Sequence, residues 1–310
     1  MMRIHVLLNL LICSVSSVNH KMVVTWGQPS TYSGYSTLNL EFESCLEVVS
    51  SNTSGSCLMF RLDEISAVER LDETTGSKVG IKRTFDDESS CPSGSSEPLI
   101  SGGTASGDTF LNDSAYTTYT ITYSDPLWTF SPPTSTIVCP PNMRLFLRPL
   151  GPWCIMVSVT GSGYIKTEAD SRCNVSKSSP GAVLSAIESA DEFNYIYDRA
   201  ASFLPTYGAY ALWMDGSRKE TCKPPAVKSE SCNGANEFEF ADPTFQLPGY
   251  YPFGSGQPSG IANFAENCLI LMLMNKTTFF ADDYNCNKSN PWASMILRGH
   301  LCGIRPTILQ

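Results

Sequence analysis

The chain has 310 residues, and because a single hydrophobic core rarely serves more than about 250 to 300 residues, this length predicts two domains. Its formal net charge of −9, from 30 acidic and 21 basic residues, disfavours nucleic acid and anionic membranes as partners, since both attract a basic surface. The 12 cysteines favour disulfide bonds over metal ligation, because none of them forms a C-x-x-C pair and the sequence has only 3 histidines.

Residues 1–17 have the pattern of a secretory signal peptide. A single basic residue, Arg3, precedes the apolar run 4–12, and small residues follow it. A membrane-spanning helix needs roughly 20 apolar residues, and neither this run nor any later segment is that long. We therefore expect cleavage near Ser16 and a secreted, extracellular product without a membrane span.

Cleavage removes Cys13 and leaves eleven cysteines. In an oxidising compartment this odd number predicts five disulfide bonds and one remaining thiol. Sequons for N-linked glycosylation agree with export, and they lie at Asn52, Asn112, Asn174, Asn275 and Asn287.

The N-terminal half, residues 20–130, is rich in Thr, Ser and Tyr. Residues 119–123 alternate between aromatic or aliphatic and hydroxylated side chains, which predicts a half-buried strand. Residues 86–108 consist mainly of Ser, Gly and acidic residues, and we predict a long solvated loop there. Residues 131–138 begin with Ser, Pro and Pro, which predicts a stiff polar linker between the domains.

The C-terminal half, residues 139–310, contains one well-marked helix. Residues 189–192 read Ser-Ala-Asp-Glu, a capping box, and apolar side chains follow at helical spacing. Short apolar segments at 238–240, 268–274 and 295–302 are bounded by Pro, Gly, Asn and Asp, which predicts strands and loops. The mixture indicates an α+β protein.

Several motifs of this half together resemble a long-form C-type lectin domain, a fold with two helices, two small sheets and an extended ligand-bearing loop. Their joint spacing is more specific than any single motif. The motifs are the Gly-to-helix run 180–196, Trp213-Met214-Asp215-Gly216, Gln257-Pro258-Ser259, Glu266-Asn267-Cys268 and Asp282-Asp283-Tyr284-Asn285-Cys286. Asp215 and Ser259 depart from the family pattern.

The resemblance implies four structural disulfide bonds in this half. They are Cys139 to Cys154, Cys173 to Cys302, Cys268 to Cys286, and an additional bond from Cys222 to Cys232 in a connecting loop. The second of these joins the first helix to the last strand.

The N-terminal half resembles the CW or PAN-type domain of nematode secreted lectin-like proteins, on the segments 22–29, 57–60 and 78–82. The resemblance suggests a bond from Cys45 to Cys57, although the upstream cysteines usual in PAN domains are absent. Cys91 then either links two chains into a dimer or is the true partner of Cys45 or Cys57.

The resemblance also implies a ligand site. A calcium-dependent sugar site needs about 6 to 8 oxygen ligands, some of them from the sugar hydroxyls. The candidates for carbohydrate binding are Gln257, Ser259, Glu266, Asp282 and Asp283, and all of these except Ser259 are candidate calcium ligands. Pro258 is expected in the cis form that the family uses. The alternative is that Asp282 and Asp283 form a solvated turn and that Gln257 lies in an ordinary loop.

The sequence lacks the chemical parts of common enzymes. It has no G-x-S-x-G, H-E-x-x-H, Walker or dinucleotide motif. We therefore expect a non-enzymatic binding protein with an extracellular glycan or protein as its ligand. Two functions remain open, namely calcium-dependent carbohydrate recognition and a calcium-independent module that binds protein or is structural. A role in innate immunity is what the resemblance implies.

Overall fold

The computed structural model describes residues 20–38, 49–51, 57–60, 64–75, 77–84, 103–131, 135–175, 179–224, 226, 228–260, 265–291 and 295–309. The chain divides into two compact units, one of Met1–Ile137 together with Ile308–Gln310 and the other of Val138–Thr307. The predictions for the signal peptide, Cys13, Cys45, Cys91 and Asn52 lie outside the described residues. None of the helices in these ranges has the length and apolar character that crossing a membrane requires.

The first unit is built from strands. Alternating apolar and hydroxylated side chains favour strands with one buried and one exposed face. Residues 119–123 form such a strand, in which Ile121 is fully buried and Thr122 is exposed. The strands are β1 (His20–Tyr32), β2 (Ser36–Leu38), β3 (Val49–Ser51), β4 (Cys57–Met59), β5 (Ile65–Arg70), β6 (Lys78–Thr84), β7 (Gly103–Asn112), β8 (Ala115–Ser124), β9 (Leu127–Phe130) and β10 (Thr136–Val138).

Strand β1 organises the sheet of this unit, since it pairs antiparallel with β5 along one part and with β6 along another. With the C-terminal strand β19 (Thr307–Leu309) included, the order of the described strands is β19-β10-β8-β9-β5-β1-β6-β3-β4-β2, and β7 pairs with β8. A small core of Val68, Val79, Tyr119, Ile121 and Trp128 lies on it.

Two predictions for this unit are corrected by the strands. Residues 103–108, expected to be loop, belong to β7, which pairs with β8 from Gly103 to Asn112. Asp108 is consequently buried, and its negative charge contributes, after burial, to raising the pKa of Tyr116 and Tyr119. Backbone pairing outweighs the polar composition on which the loop prediction relied.

The predicted linker also takes part in the sheet. Its last residues form β10, which lies beside β8 in the strand order. The Thr117 hydroxyl donates to the Ser135 carbonyl oxygen at 2.9 Å, and the Ser131 amide donates to the Thr120 carbonyl oxygen at 2.9 Å. Hydroxylated residues of the stretch therefore bond to a strand instead of remaining a free spacer.

The second unit mixes strands with short helices, and the α+β prediction is confirmed. Its strands are β11 (Arg144–Arg148), β12 (Gly151–Val159), β13 (Val183–Leu184), β14 (Tyr210–Arg218), β15 (Phe238–Glu239), β16 (Glu266–Asn275), β17 (Thr278–Asn285) and β18 (Ile296–Ile304), and β19 (Thr307–Leu309) follows. Its α-helices are α1 (Lys166–Asn174), α2 (Ala190–Ala201) and α3 (Leu204–Tyr207).

The described strands of this unit run in the order β11-β12-β18-β14-β16-β17. β14 and β18 pair in parallel and the other neighbours on this path pair antiparallel. Apolar runs in β14 and β16 pack against α2, because Leu212, Leu271 and Ile196 are all fully buried in one core. Trp213 is likewise a core residue, fully buried with its indole N–H donating to the Tyr164 carbonyl oxygen at 2.8 Å.

Helix α2 begins where its sequence predicts, but its cap differs from a capping box. The Ser189 hydroxyl oxygen accepts from the Glu192 amide at 3.3 Å, as expected. The Glu192 carboxylate does not accept a hydrogen bond from the Ser189 amide, which a capping box requires. It accepts instead from the Glu188 amide at 2.8 Å and forms an ion pair with Arg148.

All four disulfide bonds expected in this half are present, Cys139–Cys154, Cys173–Cys302, Cys222–Cys232 and Cys268–Cys286. Cys173–Cys302 joins α1 to β18, as expected. A histidine ring nitrogen, from His300, lies within 4.8 Å of both of its sulfur atoms. Because these sulfurs are bonded to each other, the group is a buried structural bridge and lacks the thiolates of a metal centre.

Candidate functional site

Four of the five predicted ligand-site residues meet where the segment between β15 and β16, here termed the long loop, returns to the sheet. Pairing of β16 with β17 places Asp282 opposite Ile270 and Asp283 opposite Leu269. The Gln257–Pro258 peptide is cis, and the loop then brings Ser259 to these strands. The Ser259 amide donates to Asp283 Oδ1 at 2.8 Å, and its hydroxyl donates to Glu266 Oε2 at 3.0 Å.

Gln257, the fifth residue, is half-buried beside this group. Its amide oxygen is shielded from solvent and has no hydrogen-bond partner among the described residues. Such an oxygen is a suitable ligand for a hard cation.

Asp282 and Asp283 do not form the solvated turn considered as an alternative. Both lie within β17 and are buried. The Asp283 amide donates to Asp282 Oδ1 at 2.8 Å. Burial, followed by the charges of Asp283 and Glu266, raises the pKa of Asp282 to about 7.

The centre of the group is an arginine that the sequence did not reveal. Arg218, the last residue of β14, donates through Nη2 to Asp283 Oδ2 and through Nη1 to Glu237 Oε2. Its Nε donates to the Glu266 carbonyl oxygen at 3.0 Å, and its guanidinium lies 4.7 Å from the Phe238 ring centroid. The side chains of Arg218, Glu237 and Asp283 are fully buried.

A second cation, Lys228, lies next to it. Its ammonium donates to Glu237 Oε1 at 2.8 Å and to the Pro258 carbonyl oxygen at 2.6 Å. Burial and the neighbouring positive charge of Arg218 lower the pKa of Lys228. The residue lies inside the loop that Cys222–Cys232 closes, so this additional disulfide bond restrains the segment that carries it.

These contacts decide how well the group suits a calcium ion. Asp283 Oδ1 already accepts from Ser259, and Oδ2 accepts from both the Gly260 amide, at 2.6 Å, and Arg218. Both oxygens of Glu237 accept from cationic side chains. The Gln257 amide oxygen is buried and lacks a partner among the described residues, whereas a calcium ion needs about 6 to 8 oxygens and is repelled by two adjacent positive charges. As bonded here, Asp283 and Glu237 are not available as ligands for the ion.

Arg218, Lys228 and Glu237 were missed by sequence reasoning for a clear reason. None of them belongs to a motif that carries the resemblance: Arg218 ends β14, Lys228 lies in the loop closed by a disulfide bond, and Glu237 precedes β15. The available signal was Ser259, since a neutral hydroxyl replaces a carboxylate or amide of the family tripeptide.

Aromatic residues of the long loop divide between core and surface. The Tyr251 hydroxyl oxygen accepts from the Ile187 amide at 3.2 Å, and its ring lies 5.9 Å from that of Phe253. Tyr250 is 40% exposed and contacts Phe193 at 5.4 Å between ring centroids, and Leu247 is 41% exposed. The loop therefore presents an apolar outer surface.

Comparison with known proteins identifies the second unit. A family model for C-type lectin domain-containing protein 141/158 matches residues 149–305, more than half of the chain. The chain belongs to this family. A model for a PAN-like domain matches residues 22–83, in the first unit.

Solved structures also resemble the chain over about half of its length. They include human lithostathine (14% identity, 54% of this chain and 90% of that chain, TM-score 0.35), CEL-IV (15%, 55% and 95%, 0.35) and EMS16, described as an antagonist of the collagen receptor integrin α2β1 (19%, 54% and 98%, 0.29). At these identities the likeness concerns the fold alone. No curated protein matches the chain.

Proposed function

We propose that this chain is a secreted, non-enzymatic binding protein whose C-type lectin domain recognises an extracellular protein without calcium. The observation that carries the proposal is the set of bonds to Asp283, whose two oxygens are occupied by Ser259, Gly260 and Arg218. A calcium-bridged sugar site would use the Asp283 carboxylate as a calcium ligand. Arg218 would have to leave that carboxylate before calcium could bind it.

The surface that supports protein recognition is the outer face of the long loop. Leu247 and Tyr250 are each about two-fifths exposed, and the Tyr250 ring rests on Phe193 of α2. Rigidly supported aromatic and aliphatic side chains are typical of the centres of protein interfaces.

The proposal is tested with arrays of extracellular proteins and glycans probed in calcium and in EDTA. We expect binding to a protein that EDTA leaves unchanged, since no coordination bond to calcium is involved. The variant Leu247→Ala should weaken it, whereas Leu150→Ala should not, because Leu150 is also exposed (51%) but lies in the β11–β12 turn. Loss of binding in EDTA, or equal effects of the two variants, would contradict the proposal.

A second candidate is calcium-dependent carbohydrate recognition through Gln257, Ser259, Glu266, Asp282 and Asp283. The buried, unpartnered amide oxygen of Gln257 favours it. Calorimetric titration with calcium distinguishes the two candidates. Saturable heat of calcium binding would establish this second function if Asp283→Ala abolishes it and Asp198→Ala retains it. Asp198, on the exposed side of α2, serves as the control.

A further inference from the structure

Four charged side chains form a closed group under the long loop, Arg218, Lys228, Glu237 and Asp283, here termed the charge cluster. Ion pairs join Arg218 to Glu237 and to Asp283, and Lys228 to Glu237. Two positive charges balance two negative charges within it. Taking two carboxylates out of water is costly unless cations compensate them, and the cluster provides that compensation internally.

We propose that Arg218 and Lys228 together replace a calcium ion as the element that holds the long loop in shape. The inference rests on the proposed calcium-independent function and names the residues that make it possible. Two monovalent side chains supply the same charge, +2, as one calcium ion. They also bond to two backbone carbonyl oxygens where the loop returns to the sheet, because Arg218 Nε bonds to the Glu266 carbonyl oxygen and Lys228 bonds to the Pro258 carbonyl oxygen.

The local backbone is shaped around the guanidinium. A Cβ atom at Gly260 would collide with Arg218 Nη2, with the Glu266 carbonyl oxygen and with Asp283 Oδ2. The amide of Gly260 instead approaches Asp283 Oδ2 to 2.6 Å. The residue after the Gln257-Pro258-Ser259 turn is thus a glycine because the Arg218–Asp283 pair fills the space where a side chain would lie.

The fold also restrains both cations. Arg218 is anchored at the end of β14 with its guanidinium against the Phe238 ring, and the Cys222–Cys232 bond closes a short loop around Lys228. A calcium ion is free to leave when it is chelated, whereas these two charges are covalently part of the chain. The loop should therefore keep its shape in the absence of any divalent cation.

The test compares the wild type with Arg218→Met, which removes the charge and retains much of the side-chain length. Arg298→Met is the matched control, since Arg298 lies on β18 with its guanidinium over the Tyr207 ring, away from the cluster. The melting temperature of the lectin domain is measured by calorimetry in calcium and in EDTA.

We expect the melting temperature of the wild type to be the same in calcium and in EDTA. The melting temperature of Arg298→Met should likewise not differ between the two buffers. Arg218→Met should melt roughly 5 to 10 °C lower than the wild type in EDTA, because it removes the one cation among the described residues that contacts both buried carboxylates, Asp283 and Glu237. Calcium should recover part of that loss, since it can take the place of the guanidinium at Asp283 Oδ2 and Glu237 Oε2. The inference would be overturned if Arg218→Met had the melting temperature of the wild type. It would also be overturned if calcium did not raise the melting temperature of Arg218→Met.

These outcomes separate the inference from the proposed function. A wild type stabilised by calcium would contradict both, whereas an Arg218→Met variant unaffected in stability would contradict the replacement alone. If Arg218→Met fails to fold, Lys228→Met serves instead, because the Lys228 side chain is 47% exposed and its loss is more easily tolerated. An unchanged melting temperature in Lys228→Met would then overturn the inference.

Discussion

Arg148 donates through Nη1 to Asp242 Oδ2 at 2.8 Å and thereby joins β11 to the beginning of the long loop, 94 positions later in the chain. The same guanidinium forms two bonds to Glu192 of α2, at 2.7 and 2.8 Å, and one to the Ala186 carbonyl oxygen at 3.0 Å. One buried side chain thus connects a strand, a helix and the ligand loop.

Substitution of Arg148 by Met should destabilise the lectin domain by about 3 to 5 kcal/mol, because it leaves the buried carboxylates of Glu192 and Asp242 uncompensated. Denaturant unfolding measures the change. The control is Arg144→Met, whose pair with Asp191 spans 3.6 Å between partly exposed side chains and should contribute less than about 1 kcal/mol. Similar losses in the two variants would contradict the prediction.

Asp282 should make stability depend on pH. Its pKa is raised from 3.8 to about 7, chiefly by burial. Between about pH 4 and about pH 7 the folded state therefore keeps a proton that the unfolded chain has released, and stability falls as pH rises through this window. Asp282→Asn cannot lose this proton, so its stability relative to the wild type should increase from about pH 4 to about pH 7.

Unfolding free energies of both proteins across this pH range test the prediction. Asp198→Asn, on the exposed side of α2, is the control, and its unfolding free energy should change with pH as that of the wild type does. A parallel curve for Asp282→Asn as well would show that burial does not perturb this carboxyl group.

The disulfide bonds should differ in their contribution because they close loops of different length. Cys173–Cys302 spans 129 positions and Cys222–Cys232 spans 10. The chain-entropy relation gives about 5 kcal/mol for the first and about 3 kcal/mol for the second. Paired Cys→Ala variants and denaturant unfolding measure both, and a greater loss for the short loop would contradict this account of their effect.

Asn275 should carry an N-linked glycan in the secreted protein. It is the exposed last residue of β16, beside the turn to β17, and its Oδ1 accepts from the Thr277 amide and hydroxyl, both at 2.8 Å. Thr277→Ala removes the sequon and should abolish the modification, whereas Thr278→Ala leaves the sequon intact and should not. Peptide mass spectrometry before and after glycosidase treatment reads out the result, and an unmodified Asn275 in the wild type would refute it.

Local sequence signals predicted the parts of the fold that depend on neighbouring residues. The start of α2 follows from Ser189, whose cap requires only residues three positions apart. Strand β8 follows from alternation alone. The strand character of residues 103–108 could not be foreseen, because it arises from pairing with β8 and not from their own composition.

The candidate site divides in the same way. The sequence by itself determined the spacing of the motifs that resemble a C-type lectin domain. That resemblance then implied the four disulfide pairs of this half and the grouping of Ser259, Glu266, Asp282 and Asp283. Only the tertiary structure decided that Asp283 is bonded to Arg218 and Glu237 to Lys228. Those partners come from separate segments, and the energy of an ion pair depends on distance in space and on burial, which the order of residues along the chain does not reveal.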